Sequence, residues 1–303
     1  AVEITMTVEA GILAAFLAFL AWGFGDFAIQ RSVRHVGAVP ALFFIGIFGL
    51  VGLLPFVWQD LPLFFRQENL ATLLFFTGLV TFVYAVFFFQ ALGKGKISIV
   101  EPVMSFELPL TILLGVVIIH EQLTGLQYFL AVIIFLGLIV TVVQREPRHW
   151  WNFIRQRRPR IERGVILAVV AVALSAGANV LTGRLSQESK PVLAIWGVNA
   201  IYTICCLAWM LWRREVRGSF QHARKHWRPI VLQGILDNIA WVSFAVAVLV
   251  LPISITIAIS ESYIALGMLL GIIINKERLQ RHQYIGIAVT LVTVVVLALV
   301  SER

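Results

Sequence analysis

Ten stretches of about twenty mostly apolar residues recur along this 303-residue chain, joined for the most part by short polar connections. They fall near 10–30, 37–58, 69–92, 97–119, 124–143, 162–185, 190–212, 227–250, 253–274 and 280–300. At 1.5 Å of rise per residue each is long enough to cross about 30 Å of hydrocarbon. Only a helix or a closed barrel satisfies its own backbone there, and runs of this length are helical. Composition agrees. Hydrophobic residues make up 60% of the chain, charged residues 13%, and the mean hydropathy is +0.91, whereas soluble domains are about half apolar and a quarter charged. The expected fold is therefore all-α and integral to a membrane, with ten transmembrane helices. The two longer connections, 144–161 and 213–226, are too short for a soluble domain, so the function is expected within the bilayer and no cofactor or metal is implied.

The net charge of +8 could suggest nucleic acid, but the basic residues sit in clusters between apolar runs and not along one face. They carry topology instead. The odd-numbered connections hold 20 of the 24 Lys and Arg, leaving Arg66, Arg184, Lys190 and Arg303 elsewhere. The positive-inside rule then puts those connections in the cytoplasm and both termini on the periplasmic side of a bacterial inner membrane. Cys205 and Cys206 are adjacent within an apolar run, too few for a disulfide framework or a zinc site, and read as buried free thiols. Met6 reads as a natural start, so residues 1–5 are set aside as an appended tail.

An internal repeat runs through the chain at a fixed offset of 156. Ile97-Ser98-Ile99 recurs as Ile253-Ser254-Ile255, Leu114-Gly115 as Leu270-Gly271, Glu121-x-Leu123 as Glu277-x-Leu279 and Gln127-Tyr128 as Gln283-Tyr284. Gly78, Phe88 and Ala91 meet Gly234, Phe244 and Ala247 in the same register. The chain thus divides into a tail (1–9), a first five-helix repeat (10–143), a basic cytoplasmic linker (144–161) and a second repeat (162–303). Five is odd, so the second copy is expected to enter the membrane upside down around a central cavity. Secondary transporters use this construction to exchange inward and outward access.

Two five-helix halves, each ending in Glu-x-Leu and a Gln-Tyr helix start, with Trp22-Gly23 in the first span, resemble the ten-helix EamA-type branch of the drug/metabolite transporter superfamily. The aromatic-rich spans look most like its bacterial exporters of aromatic and related neutral amino acids. The resemblance implies a basket of helices whose cavity is walled mainly by spans 1, 3, 4, 6, 8 and 9.

Polar side chains at helical spacing within apolar spans mark the candidate lining, because an unpaired polar group facing lipid is costly. Gln233, Asp237 and Trp241 fall at i, i+4 and i+8 with Asn238 beside them. This stripe either faces the cavity or knits its helix to a neighbour by hydrogen bonds. Its counterpart in the third span carries Thr77, Thr81, Tyr84 and Phe88; the fourth offers Ser98, Glu101 and Ser105, with Glu261 opposite Ser105 in the repeat; the sixth offers Ser175, Asn179 and Thr182. The substrate-binding candidates are thus Trp22, Thr81, Tyr84, Phe88, Glu101, Ser105, Asn179, Gln233, Asp237, Asn238, Trp241 and Glu261. Among the in-span carboxylates Asp26, Glu101, Glu107, Asp237 and Glu261, Asp26 is expected to form an interfacial ion pair with Arg31 or Arg34, and Glu101 is left open between an interfacial and a transport role. Asp237 and Glu261 are expected to hold a substrate amine or a coupling proton. Pro102 and Pro109 invite a bend in the fourth span. Thr111-x-x-x-Gly115 and Gly267-x-x-x-Gly271 provide small faces for close packing or sliding.

No catalytic constellation is present. His120-Glu121-Gln122-Leu123-Thr124 lacks a metalloprotease's second histidine, and Gly93-Lys94-Gly95-Lys96 lacks the spacing of a phosphate loop. The partners expected are a small-molecule substrate, the lipid bilayer and a coupling proton, not nucleic acid. The expected function is export of aromatic and neutral amino acids. Export of other small amphipathic metabolites or drugs, or a channel, is the alternative.

Overall fold

The computed structural model describes residues 7–63, 68–94, 100, 103–142, 163–266 and 281–301, and the regular structure of these residues is helical throughout. In chain order the helices are α1 (Val8–Val36), α2 (Ala38–Val57), α3 (Glu68–Lys94), α4 (Glu107–Leu114), which runs on as a π-helical turn over Gly115–Ile119, and α5 (Gly125–Val142). After the linker come α6 (Arg163–Glu188), α7 (Pro191–Trp212), α8 (Val216–Lys225), α9 (Trp227–Ala247), α10 (Ile253–Ser260) and α11 (Arg281–Ser301). Six of them, α1, α2, α3, α6, α7 and α9, are long and apolar enough to cross a membrane. Four shorter apolar helical stretches, Glu107–Ile119, Gly125–Val140, Ile253–Leu266 and Tyr284–Leu297, coincide with the remaining expected spans.

Local chemistry explains several of the boundaries. Thr7 caps α1 by accepting from the Ala10 amide at 3.3 Å. The single-residue joint to α2 is Gly37 at φ 89, a conformation that only glycine adopts without strain. At the head of α5, Thr124 and Gln127 form a reciprocal capping box, with bonds of 2.9 and 3.3 Å. The Gln-Tyr helix start seen in the sequence is therefore the third position of a cap. Pro191 opens α7, where its missing N–H costs nothing.

Two sequence expectations need refinement. Residues 213–226 are not a plain connection, because α8 lies there with Ser219 and Ala223 buried and Arg217, Arg224 and Lys225 exposed. Its Phe220 ring packs edge-on against Phe43 and Phe44 of α2. The fourth span does break near its prolines, but Pro109 lies inside the first turn of α4; the turn falls at Ser105–Phe106, where a proline at 109 cannot donate to the carbonyl of residue 105. Pro102, Ser98, Glu101, Gly267, Gly271 and the linker 144–161 lie outside the described residues.

The large apolar side chains left exposed repeat at helical spacing, as in Leu126, Phe129, Val132, Leu136 and Val140 of α5 or Ile285, Val289, Val292 and Val296 of α11. Such continuous apolar faces suit lipid and not water. Inside, α1 packs on α9 and α3 on α6, α2 on α7 and α5 on α11, α3 on α7 and α2 on α9, α4 on α6 and α1 on α10. Each of these pairings joins a helix before the linker to one after it. At one such contact, Gly49 of α2 leaves room for Asn199 and Asn238, whose side chains fill the place a Cβ would take.

Candidate functional site

A cavity opens among α1, α2, α3, α4, α6, α7, α9 and the α10 end. Trp22, midway along α1, supplies one wall, with Trp241 of α9 set edge-on at 5.2 Å and 85°. Tyr263 stands 6.2 Å from the same indole. Across from them Tyr84 and Phe88 of α3 stack at 5.9 Å and 13°, one helical turn apart on one face. Polar groups are set between these rings. Thr81, Asn179, Glu107, Asp26, Asp237, Glu261 and Tyr202 complete most of the lining, together with Ile29, Leu42, Ala85 and Phe89. No Lys, Arg or His is among the lining residues described.

Eight of the twelve sequence candidates therefore meet at one cavity: Trp22, Thr81, Tyr84, Phe88, Asn179, Asp237, Trp241 and Glu261. The stripe on α9 divides between its two readings. Asp237 and Trp241 face the cavity, whereas Gln233 and Asn238 knit α9 to α2 and α7. Gln233 is fully buried and donates to the Ala41 carbonyl at 3.0 Å. Asn238 donates to the carbonyls of Ile45 at 3.0 Å and Gly234 at 2.7 Å, and accepts from Asn199 at 2.6 Å. The reason is angular: Asn238 lies 100° round the helix from Asp237, which turns it toward α2. Ser105 is 1% exposed and does not line the cavity. Glu101 lies outside the described residues.

Asp26 corrects the sequence reading. It lines the cavity and hydrogen-bonds Tyr263 instead of pairing with Arg31 or Arg34. Trp22 and Ile29, four residues before and three after, share its inward face, while Arg31 sits about 140° away around the helix axis. Glu107 is the second missed group; it is 4% exposed and accepts from Asn179 Nδ2 at 2.5 Å, a bond that fixes the Asn179 side chain. The hydroxyls of Tyr202 and Tyr263 were missed as well. The offset of 156 held a signal for some of these: Thr81 with Asp237, Ala85 with Trp241 and Glu107 with Tyr263 are repeat counterparts, and all six line the cavity. A smaller space beside it is lined by Thr182, Ile195, Val198 and Asn199 and shares Thr81, Tyr202 and Trp241 with it.

The model of the EamA-like transporter family matches residues 9–143 and again 162–299. An uncharacterized transporter of Archaeoglobus fulgidus is 22% identical over 289 residues, which cover 95% of this chain and 98% of that protein. A crystal structure of a protein 16% identical in sequence superposes with a TM-score of 0.71 over 97% of this chain and 99% of its own, which extends the likeness to the fold.

Proposed function

Because the chain belongs to the EamA-like transporter family, we propose that this multi-pass membrane protein is a secondary carrier of small ring-bearing solutes, aromatic and other neutral amino acids first among them, working by alternating access. The observation that carries the reading is the cavity itself. Flat faces of Trp22, Tyr84, Phe88 and Trp241 alternate with hydrogen-bonding groups of Thr81, Asn179 and Asp237 inside helices that are otherwise apolar. That mixture suits an amphipathic solute of amino-acid size, held by ring contacts and a few polar ones. Multiply anionic solutes would want a fixed cation, and the described lining offers none.

In this reading the four shorter helical stretches complete ten spans, and 10–143 and 162–303 are inverted repeats. Two observations support it. The family match falls twice, once in each half, and the helix pairings map onto themselves when the halves are exchanged. Under that exchange α1 on α9 becomes α6 on α3, α2 on α9 becomes α7 on α3, and α4 on α6 becomes α10 on α1. The asymmetry of 20 in 24 basic residues supports termini outside the cytoplasm, and export across a bacterial inner membrane follows from the resemblance to amino-acid exporters alone. Asp237 and Glu261 are the proposed proton carriers. The test is counterflow in proteoliposomes: vesicles preloaded with phenylalanine, tyrosine or tryptophan accumulate the labelled amino acid saturably. Fluxes that neither saturate nor show counterflow would indicate a channel.

A further inference from the structure

Four carboxylates, Asp26, Glu107, Asp237 and Glu261, line one cavity whose described residues include no base. Three of the lining's donors are already engaged with the wall. Asn179 Nδ2 donates to Glu107, the Tyr202 hydroxyl donates to Asn199 Oδ1 at 2.5 Å, and Tyr263 bonds Asp26. A carboxylate acceptor is left over: Asp26 Oδ2 is buried with no hydrogen-bond partner among the described residues, beside a Thr81 hydroxyl that is free to donate or accept. A buried acceptor without a partner is costly unless a ligand supplies the donor.

Around these acceptors stand the aromatic faces, with Trp22 and Trp241 edge to face and Tyr84 stacked along Phe88. Carboxylates with ring faces make a site for a cation, through charge, N–H donation and cation–π attraction together. A zwitterion carrying the same ring would bring its own carboxylate into this set of acids. We propose that the cavity selects organic cations, a protonated amine attached to a flat ring, over the amino acid that bears the same ring. The inference rests on the carrier reading above, keeps its ring-bearing solutes and puts the amine in place of the amino acid as the preferred one.

The experiment compares tryptamine, tryptophan, 3-ethylindole and indole-3-propionate at pH 7.5, each competing against labelled tryptamine in proteoliposomes and in protein-free vesicles. Tryptamine should compete at least tenfold better than tryptophan, with 3-ethylindole between or below them and indole-3-propionate last. Asp26→Asn and Asp237→Asn, each checked for a monodisperse profile, should narrow the gap between tryptamine and 3-ethylindole at least fivefold. Where a variant fails to fold, the wild-type ranking decides alone. Tryptophan equal to or better than tryptamine, with saturable transport, overturns the inference and leaves the carrier reading standing. No protein-dependent binding or transport of any of the four overturns both.

Discussion

Glu121 reaches from the connection after the π-helical turn to the head of α10, where it accepts from the Ile253 amide at 2.6 Å, the Ser254 amide at 3.1 Å and the Ser254 hydroxyl at 2.5 Å. Three bonds to one carboxylate at a helix N-terminus combine a cap with favourable dipole electrostatics. Glu121→Ala removes both acceptor oxygens and with them all three bonds, and should cost about 3 kcal/mol, taking about 1–1.5 kcal/mol for each of the two backbone bonds and less for the hydroxyl, which can turn elsewhere. Glu121→Gln keeps one oxygen and loses the charge, so about half of that is expected. Ser254→Ala alone should cost about 1 kcal/mol and couple to Glu121→Ala by a similar amount in a double-mutant cycle. In a Cys205→Ser background, which removes the partly exposed thiol, thermal melting of the purified protein can be followed by a thiol-reactive dye that reaches the buried Cys206 only on unfolding. For a chain of this size the alanine variant should melt about 5 °C lower. A melting point within 1 °C of wild type for both single variants would refute the reasoning.

Trp241→Ala should raise the half-saturation concentration for a ring-bearing substrate about fivefold, equivalent to about 1 kcal/mol, and change that for leucine less, as counterflow would read. Asn238→Ala breaks the network from Ile45 through Asn199 to Tyr202 and should lower stability by about 2 kcal/mol while leaving half-saturation nearly unchanged, since Asn238 does not line the cavity. Asp237→Asn should flatten the pH dependence of net transport yet spare exchange of preloaded substrate if that carboxylate carries the proton; equal loss of both would mark a binding role. His226 stacks on His35 at 3.7 Å and 5°, and loss of hydration, then the charges of His35, Lys225 and His222, hold its pKa below the ordinary 6.5. The unfolded chain therefore takes up this proton first as pH falls, so the contribution is present above pH 6.5 and lost below it. His226→Gln should reduce the fall in melting temperature between pH 7.5 and 5 relative to wild type.

Membrane character was legible because span length and apolarity follow from bilayer thickness, which leaves little freedom to the sequence. Which way each polar side chain turns was less so. Gln233 and Asp237 are one helical turn apart and look alike in a periodic pattern, yet one meets the Ala41 carbonyl and the other the cavity. Asp26 misled for a different reason: proximity to Arg31 in sequence suggested a pair, but five residues of helix carry the two side chains to different faces. Tyr202 and Tyr263 could not be singled out, since a tyrosine in an apolar span is as well suited to packing as to a lining. The π-helical turn after α4 left no mark in the hydropathy at all.

The pairing of every major helix with one from the other half also governs how the chain is made. α1 ends at Val36 and its chief partner α9 begins at Trp227, so at about 5–20 residues per second α1 waits about 10–40 s for the surface it is shaped to meet. Throughout that interval Asp26 has neither Tyr263 nor the closed cavity around it. Until then the helices before residue 143 have only their weaker contacts with one another, and a chain that stops there should be a substrate for membrane proteases until the second half arrives to hold it.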